Sequence, residues 1–400
     1  MASTEKRKIC VVTGSRAEYG LLQPLMQSLK EDNSFELQVI ASAMHLSPEF
    51  GNTFQQIEAD GFVLDAKIDM LLSSDSPAAT AKSVGIGTIS FADALQQLQP
   101  DLMVVLGDRF ETLSAVQAAL FARIPVAHIH GGEITEGVLD DAIRHAITKM
   151  SHLHFVSTET YKKRVIQLGE QPENVYVSGA PGVDNIKSLT LMTRQQLEQD
   201  LDYNFGELLF LVTYHPTTLA DAGGPQSAES ASMESLIQAL NKFPTANIIL
   251  TLPNADTGGR HLIAQAKHFA QQQGKRVFVS HSLGRLRYLS LLKFVDCVIG
   301  NSSSGLLEAP SFKKPTVNIG DRQRGRIRGA SVIDCNDSVE DIEAAIQLAL
   351  SANFIEKLKS IENPYGDGRA VERIMQVLKT RDYQQLTRKV FYDLPEQDEE

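Results

Sequence analysis

The chain has 400 residues, 42% hydrophobic and 22% charged, the balance of a soluble globular protein with room for two or three domains. Its formal net charge of −11 excludes a general nucleic-acid binder, whose phosphate contacts need a basic face. Apolar runs are short and broken by Gly, Pro or charge, so no transmembrane helix and no membrane partner are expected, and "MASTEKRKICVVTG" shows no signal-peptide pattern.

The elements follow a repeated β-α order. "KICVVT" predicts a strand, and "GSRAEYG" turns from it into the helical "LLQPLMQSLK". "FELQVIASA" is the next strand, after which Ser47 and Pro48 read as N-cap and first residue of a helix over "PEFGNTFQQIEAD". "FVLDAKI", the helical "FADALQQLQ", "LMVVLGD", "FETLSAVQAALFA", "PVAHIHGG", "DDAIRHAITKM", "LHFVS" and "VYVSG" complete a first set. A second set has the strands "LLFLVTYH", "NIILTLP", "RVFVS", "CVIGN", "PTVNIG" and "SVIDC", with helices between them. Near-continuous apolar strands alternating with amphipathic helices imply parallel sheets covered on both faces. The expected fold is therefore α/β, with two doubly wound, Rossmann-like domains over residues 1–185 and 186–367 facing a cleft. A C-terminal helix within 368–390 returns to the first domain, and an acidic tail, 391–400, is read as disordered. Cys10, Cys297 and Cys335 sit apart in apolar runs without metal spacing and read as buried thiols of a reducing, cytoplasmic compartment.

In open α/β sheets ligands bind beyond the carboxyl ends of the strands, so the residues there carry the functional reading. After the first strand, Arg16 stands at a helix start, a position that with an arginine favours phosphate. "GIG" at 85–87 follows no clear strand and is no dinucleotide fingerprint. Asp108 follows "LMVVLG" and is either the N-cap of the next helix or a site carboxylate. "HIHGGEITEGVLDDAIRHAITK" crowds His128, His130, Glu133, Asp140, Asp141, Arg144 and His145 where a strand hands over to a helix. Asp140 and Arg144 are spaced i, i+4, so an intrahelical ion pair would account for both; His145 and Lys149 have the same spacing. In the second half, strands end at His215, at Asn254 and Asp256, and at "NSSSG", Asn301 to Gly305. A small-residue turn entering a helix is an anion cradle, with Glu308 one turn on as a ribose clamp; the structural alternative is an N-cap serine and a surface glutamate. "DRQRGRIRG" concentrates Arg322, Arg324, Arg326 and Arg328, which otherwise form a solvated basic turn.

Taken together, "TGSRAEYG", "LGDRFE", "HIHGGE", "DDAIRHAITK", "HP", "NADTG", "GNSSSG" with Glu308, "NIGDRQRGR" and "NPYGDG" resemble, in that order, the hydrolysing UDP-N-acetylglucosamine 2-epimerases, on the bacterial sialic acid and legionaminic acid side of the family. The resemblance runs from about Lys8 to the last helix. It implies the glycosyltransferase-B architecture, with UDP held mainly by the second lobe, a UDP-sugar substrate, no cofactor and no metal, and a homodimer or homotetramer. It carries over nucleotide and substrate binding to Arg16, His45, Arg109, Arg144, Asn254, Ser282, Leu283, Ser302, Ser303, Glu308 and Arg322, and acid/base positions to Asp108 and Asp140. His215 is expected to assist the departing UDP. The relatives commonly have "HIEGG" where this chain has "HIHGGE", so either His130 or Glu133 takes that glutamate's role. The expected reaction is elimination of UDP from UDP-N-acetylglucosamine to 2-acetamidoglucal, then hydration to N-acetylmannosamine. The same chemistry on UDP-2,4-diacetamido-2,4,6-trideoxyglucose is the first alternative; a two-lobed glycosyltransferase and a silent nucleotide-sugar sensor are the others.

Overall fold

The computed structural model describes residues 6–74, 76–135, 139–215, 225–252, 259–280 and 283–395. The chain forms two compact units. The first comprises Met1–Glu133, Leu139–Asn185 and Gly368–Glu400, and the second Ile134–Val138 and Ile186–Asp367. Among the described residues no helix is long and apolar enough to cross a membrane.

The first unit holds strands β1 (Arg7–Thr13), β2 (Phe35–Ser42), β3 (Ala66–Ile68), β4 (Leu102–Leu106), β5 (Val126–Ile129), β6 (Leu153–Val156) and β7 (Val175–Val177). They form a seven-stranded sheet in the order β3-β2-β1-β4-β5-β6-β7, with every pairing parallel. Successive side chains of a strand alternate between faces. Ile9 and Val11 therefore enter one core with Leu22, Leu25 and Leu378, while Cys10 and Val12 enter another with Phe91, Ala115 and Ile147. Both faces are dry, which is why these strands read as unbroken apolar runs.

The second unit repeats the plan with β8 (Leu208–Thr213), β9 (Ala246–Thr251), β10 (Val277–Ser280), β11 (Cys297–Gly300), β12 (Thr316–Ile319) and β13 (Val332–Cys335). Its six-stranded sheet has the order β10-β9-β8-β11-β12-β13, again parallel throughout. Phe210 and Val212 pack on one side, Leu209 and Leu211 on the other. In each sheet the order reverses at one point, between β1 and β4 and between β8 and β11. Beyond the carboxyl ends of such strands the flanking connections diverge and leave room for a ligand.

The helices that position the site are α1 (Arg16–Glu31), α2 (Phe54–Ala59), α3 (Pro77–Leu98), α4 (Phe110–Ala122) and α5 (Leu139–Met150). Two differ from the sequence expectation. The helix expected from Pro48 is a 3-10 turn, Pro48–Phe50, that stops at Gly51 with φ +86°; Asn52 is also left-handed, and α2 begins only at Phe54. The helix expected at "FADALQQLQ" is the end of the 22-residue α3, which starts at Pro77 under a Ser76 cap. Gly87, within α3, faces Met70 and Ser114 so closely that a Cβ would lie 2.7 Å from the Met70 methyl, so Gly87 of "GIG" serves helix packing, whereas Gly85 faces open space. Of the cysteines, Cys10 and Cys297 are buried and Cys335 is half-buried. The start of the acidic tail is docked on the first unit: the Tyr392 N–H donates to Gly169 O at 2.9 Å, and Lys149 lies 4.7 Å from the Phe391 ring centre.

Candidate active site

Two clusters occupy the reversal points, one in each unit. In the first, Ser15 caps α1 by accepting from the Glu18 N–H at 3.3 Å. The Glu18 carboxylate turns back to accept from the Gly14 N–H at 2.7 Å and from the Thr112 hydroxyl at 3.4 Å. Glu111, on α4, comes against the same turn, and a Cβ on Gly14 would lie 2.4 Å from its Cγ. Burial, then the charge of Glu111, pushes Glu18 up to about 8, against hydrogen bonding from Gly14 and the charge of Arg109. Glu111 accepts from Arg109 Nε at 2.6 Å, and its other oxygen is buried without a partner among the described residues. Arg16, the first residue of α1, is exposed. A cation at a helix N-terminus opposes the macrodipole, so Arg16 contributes nothing to α1 that would explain its place there.

At the end of β4 the chain turns through Gly107, φ +83°, into Asp108 and Arg109. The N-cap of α4 is Arg109, and no side chain caps that helix. Asp108 is thus not a cap. Its carboxylate pairs with Arg144 on α5, a guanidinium almost fully buried. Arg144 also donates to Glu133 O at 2.9 Å and lies 3.6 Å from Asp141. In place of the expected Asp140–Arg144 pair, Arg144 reaches Asp108 and Glu133 outside α5 and Asp141 within it. Asp140, exposed in the first turn of α5, is raised by desolvation of its carboxyl and then by the charge of Asp108, with Arg109 and Arg144 opposing. Two carboxylates and two arginines are thereby gathered at one strand end, with one carboxylate in an ion pair and the other biased toward its protonated form.

The histidines of the motif separate sharply. His128 is buried in β5 with Nδ1 3.2 Å from Thr148 Oγ1 and Nε2 2.7 Å from Gly107 O. Burial holds it down at about 3. His145 lies 3.5 Å from Asp141 rather than pairing with Lys149, which instead reaches Glu170 at 2.8 Å. His130 ends β5 in the left-handed region, φ 68°, a conformation that costs roughly 1–3 kcal/mol outside glycine. Its Nδ1 lies 2.5 Å from Glu133 Oε1, and Ser157 donates to the same oxygen at 3.3 Å. His45 is fully buried, with its ring nitrogens 3.0 Å from Thr13 Oγ1 and 2.8 Å from Thr53 Oγ1. Both nitrogens are thus engaged inside the fold.

In the second unit Gly300 runs so close to β8 that a Cβ would sit 2.0 Å from Thr213 O, a position open only to glycine. The next residue, Asn301, bridges to the end of β8: it accepts from the His215 N–H at 2.7 Å and donates to His215 O at 2.9 Å. Arg322 Nη1 and Gln323 Nε2 both donate to Asn301 O, at 3.0 and 2.9 Å. Burial, then the positive charge of Arg322, lowers His215 to about 4, which leaves it neutral. Among the four arginines of the basic stretch, Arg328 pairs with Asp334 at 2.6 Å and Arg322 is the one held at the strand end.

The serine-rich turn departs from expectation. It enters a single helical turn, Ser304–Leu307, with Ser303 at the N-cap and no side-chain cap bond. A helix that short has little macrodipole, so the turn's value to an anion rests on its backbone and hydroxyls. Tyr288 donates to Ser304 Oγ at 2.6 Å, and Ser304 donates to Glu308, whose carboxyl is raised by burial. Ser302 accepts from Ser304 N at 3.4 Å. Leu283 is buried at the N-cap of the helix Gly284–Leu292. Asn254 and Ser282 lie outside the described residues. A cavity of about 840 Å³ bounded by Arg7, Asp101, Ile124 and Arg381 lies at the amino ends of β1 and β4, opposite the strand-end groups. There Arg7 caps the C-terminal helix, Ala370–Thr380, by donating to Leu378, Lys379 and Arg381 carbonyls.

Sequence reasoning passed over Glu18, Glu111 and Gln323, and it marked Asn301 by its strand-end position without its bridge to His215. Glu18 carried a signal, since "SRAE" has the S-x-x-E spacing of a capping box. No described group of three or more His, Cys, Asp or Glu residues has a metal-holding arrangement.

The fold and these strand-end clusters define a two-unit parallel α/β protein of the glycosyltransferase-B type. The family model described as UDP-N-acetylglucosamine 2-epimerase matches residues 27–379. GDP/UDP-N,N'-diacetylbacillosamine 2-epimerase (hydrolyzing) of Campylobacter jejuni is 40% identical over 349 residues, 87% of this chain and 89% of that protein. Polysialic acid biosynthesis protein P7 of Escherichia coli is 40% identical over 400 residues, 98% of each chain. The solved Methanocaldococcus jannaschii UDP-GlcNAc 2-epimerase, in complex with UDP-GlcNAc and UDP, superposes with a TM-score of 0.75 at 20% identity, over 93% of this chain and 99% of that one, a likeness of fold. The chain belongs to the UDP-N-acetylglucosamine 2-epimerase family, in its hydrolysing branch.

Proposed function

We propose that the chain converts UDP-N-acetylglucosamine and water to N-acetylmannosamine and UDP, in the service of sialic acid biosynthesis. The observation that carries this reading is the pair of unlike carboxylates at the first reversal point: Asp108 paired with Arg144, and Asp140 raised by desolvation and by Asp108. Loss of the C2 proton and departure of UDP from C1 gives 2-acetamidoglucal; water then adds its hydroxyl to C1, and a proton reaches the opposite face of C2. Two proton-handling groups with different affinities suit this sequence, each worth about 10²–10⁴-fold when well placed. The departing diphosphate is stabilised by Arg322, by the neutral His215 and by the Ser302–Ser303 turn. Arg16 and Arg109 supply further positive charge, and Glu308 holds a ribose hydroxyl. Elimination followed by hydration is redox-neutral and asks for no nicotinamide.

The E. coli relative, matched over nearly its full length, supports the sialic acid assignment. The Campylobacter relative, equally identical, supports a second reading in which the sugar is a UDP-linked 2,4-diacetamido-2,4,6-trideoxyhexose. Presenting both UDP-sugars together and identifying the freed sugar by NMR decides between them. Release of N-acetylmannosamine with the second sugar untouched is the expected result, and the converse transfers the assignment to the second reading.

A further inference from the structure

Resting on the elimination reading above, we infer that His130 is the group that removes the substrate's C2 proton, and that Glu133 is its positioning residue. Both lie in one short turn. The Glu133 carboxylate returns to His130 Nδ1 at 2.5 Å. That carboxylate is itself fixed, since Ser157 Oγ donates to the same oxygen and the residue is 4% exposed. Its backbone carbonyl accepts from Arg144, whose other side pairs with Asp108. An imidazole with a carboxylate on Nδ1 carries its proton there and turns its lone pair to Nε2, the tautomer of a base oriented by a third group. His130 Nε2 is buried and has no hydrogen-bond partner among the described residues. A buried nitrogen lone pair without a partner is unfavourable unless something binds it.

The backbone shows the same specialisation. His130 is left-handed, and the next two residues are glycines pressed into the fold. A Cβ on Gly132 would lie 2.5 Å from Tyr161 O, and one on Gly131 3.1 Å from His128 Nδ1. The turn is therefore held rigidly in the geometry that closes the His130–Glu133 contact. The neighbouring His128 cannot substitute, because both its nitrogens are engaged.

The step balances without a further reactant. The C2 proton passes to His130 Nε2, the C2–H electron pair becomes the C1=C2 bond, and the C1–O pair leaves with UDP. The imidazolium is stabilised by Glu133 and then gives its proton to water. Hydration, which protonates the opposite face of C2, does not use His130.

The test uses the full chain and whichever UDP-sugar the native protein consumes. His130→Asn keeps a residue that tolerates the left-handed region. It should lower kcat for UDP release by about 10²–10⁴-fold, leave UDP affinity within about threefold, and still hydrate supplied 2-acetamidoglucal in the presence of UDP. Glu133→Gln, the second variant, should lower kcat for UDP release with little change in KM, and it too should still hydrate supplied 2-acetamidoglucal in the presence of UDP, because only the base of the elimination is misplaced. The other charged or titratable groups around the dyad are His128 on β5, Asp108 after β4, Arg144 on α5 and Arg164, which donates to Gly132 O; none is altered. A folded His130→Asn protein with near-native UDP release, or a Glu133→Gln protein with native kcat, overturns the inference. A native protein that releases UDP from neither sugar overturns the functional reading itself.

Discussion

Arg144 and Asp108 stand 36 residues apart and form an ion pair across the carboxyl ends of β4 and β5, with the guanidinium almost fully buried. The pair removes Asp108 from helix capping and ties α5, which carries Asp140, to the end of β4. Asp108→Asn and Asp140→Asn should therefore keep UDP affinity while losing about 10²–10⁴-fold in turnover. The two differ in stability. Asp108→Asn takes the carboxylate partner from the buried Arg144 guanidinium, at a cost of about 1–3 kcal/mol. Asp140→Asn, at an exposed helix start, should melt close to native. Calorimetry with UDP, thermal melts and UDP-release rates test both; near-native rates in both variants would return these carboxylates to a structural role.

Glu18 gives a pH signature. Burial first, and the charge of Glu111 second, push its folded pKa up from the ordinary 4.5 to about 8. A raised folded pKa contributes stability that is full below 4.5 and is lost as pH rises through about 8. Native melting temperature should fall across that window. Glu18→Gln, which keeps a neutral side chain at every pH, should flatten the fall. Parallel melting profiles for the two proteins would show that Glu18 does not hold a proton in the folded state.

Gly14→Ala places a Cβ against Glu111. Glu111 must move, and its contact with Arg109 goes with it. The expected cost is about 1–3 kcal/mol of stability, the scale of overpacking, together with weaker substrate binding measured as a higher KM. Unchanged melting and KM would show that the turn absorbs the methyl.

The fold was legible in the sequence because the central strands, such as β1, β4, β8 and β11, are buried on both faces and show as apolar runs. Helix limits were less so. "SPAATAKSVGIG" carries small residues in place of an apolar stripe, since α3 packs closely on α4 through Gly87 and Ser114, and its first three turns went unread. The break at Gly51 follows from two consecutive left-handed residues, which periodicity does not register. In the site, strand-end residues were visible by position alone. Their partners were not: Glu18 meets Thr112 across 94 residues, and Asp108 meets Arg144 across 36, contacts fixed by the strand order β2-β1-β4-β5. His45, near a strand end, turns inward to Thr13 and Thr53, contacts that its place in the sequence does not announce.

In the second unit, Arg322→Ala should weaken UDP binding by about 1.5–3 kcal/mol, the scale of a hydrogen bond to a charged group. Arg322 also donates to Asn301 O, but Gln323 donates to the same oxygen, so the turn should survive the substitution. Calorimetric titration with UDP gives the number, and an unchanged affinity would remove Arg322 from the diphosphate.

The central claim is that the C2–H bond breaks and is remade from solvent while UDP is released. Turnover of UDP-N-acetylglucosamine in D₂O, followed by NMR, tests it most directly. The account predicts free N-acetylmannosamine bearing deuterium at C2, formed one for one with UDP. A product that keeps its original C2 hydrogen, or a 2-epimer still attached to UDP, would contradict it.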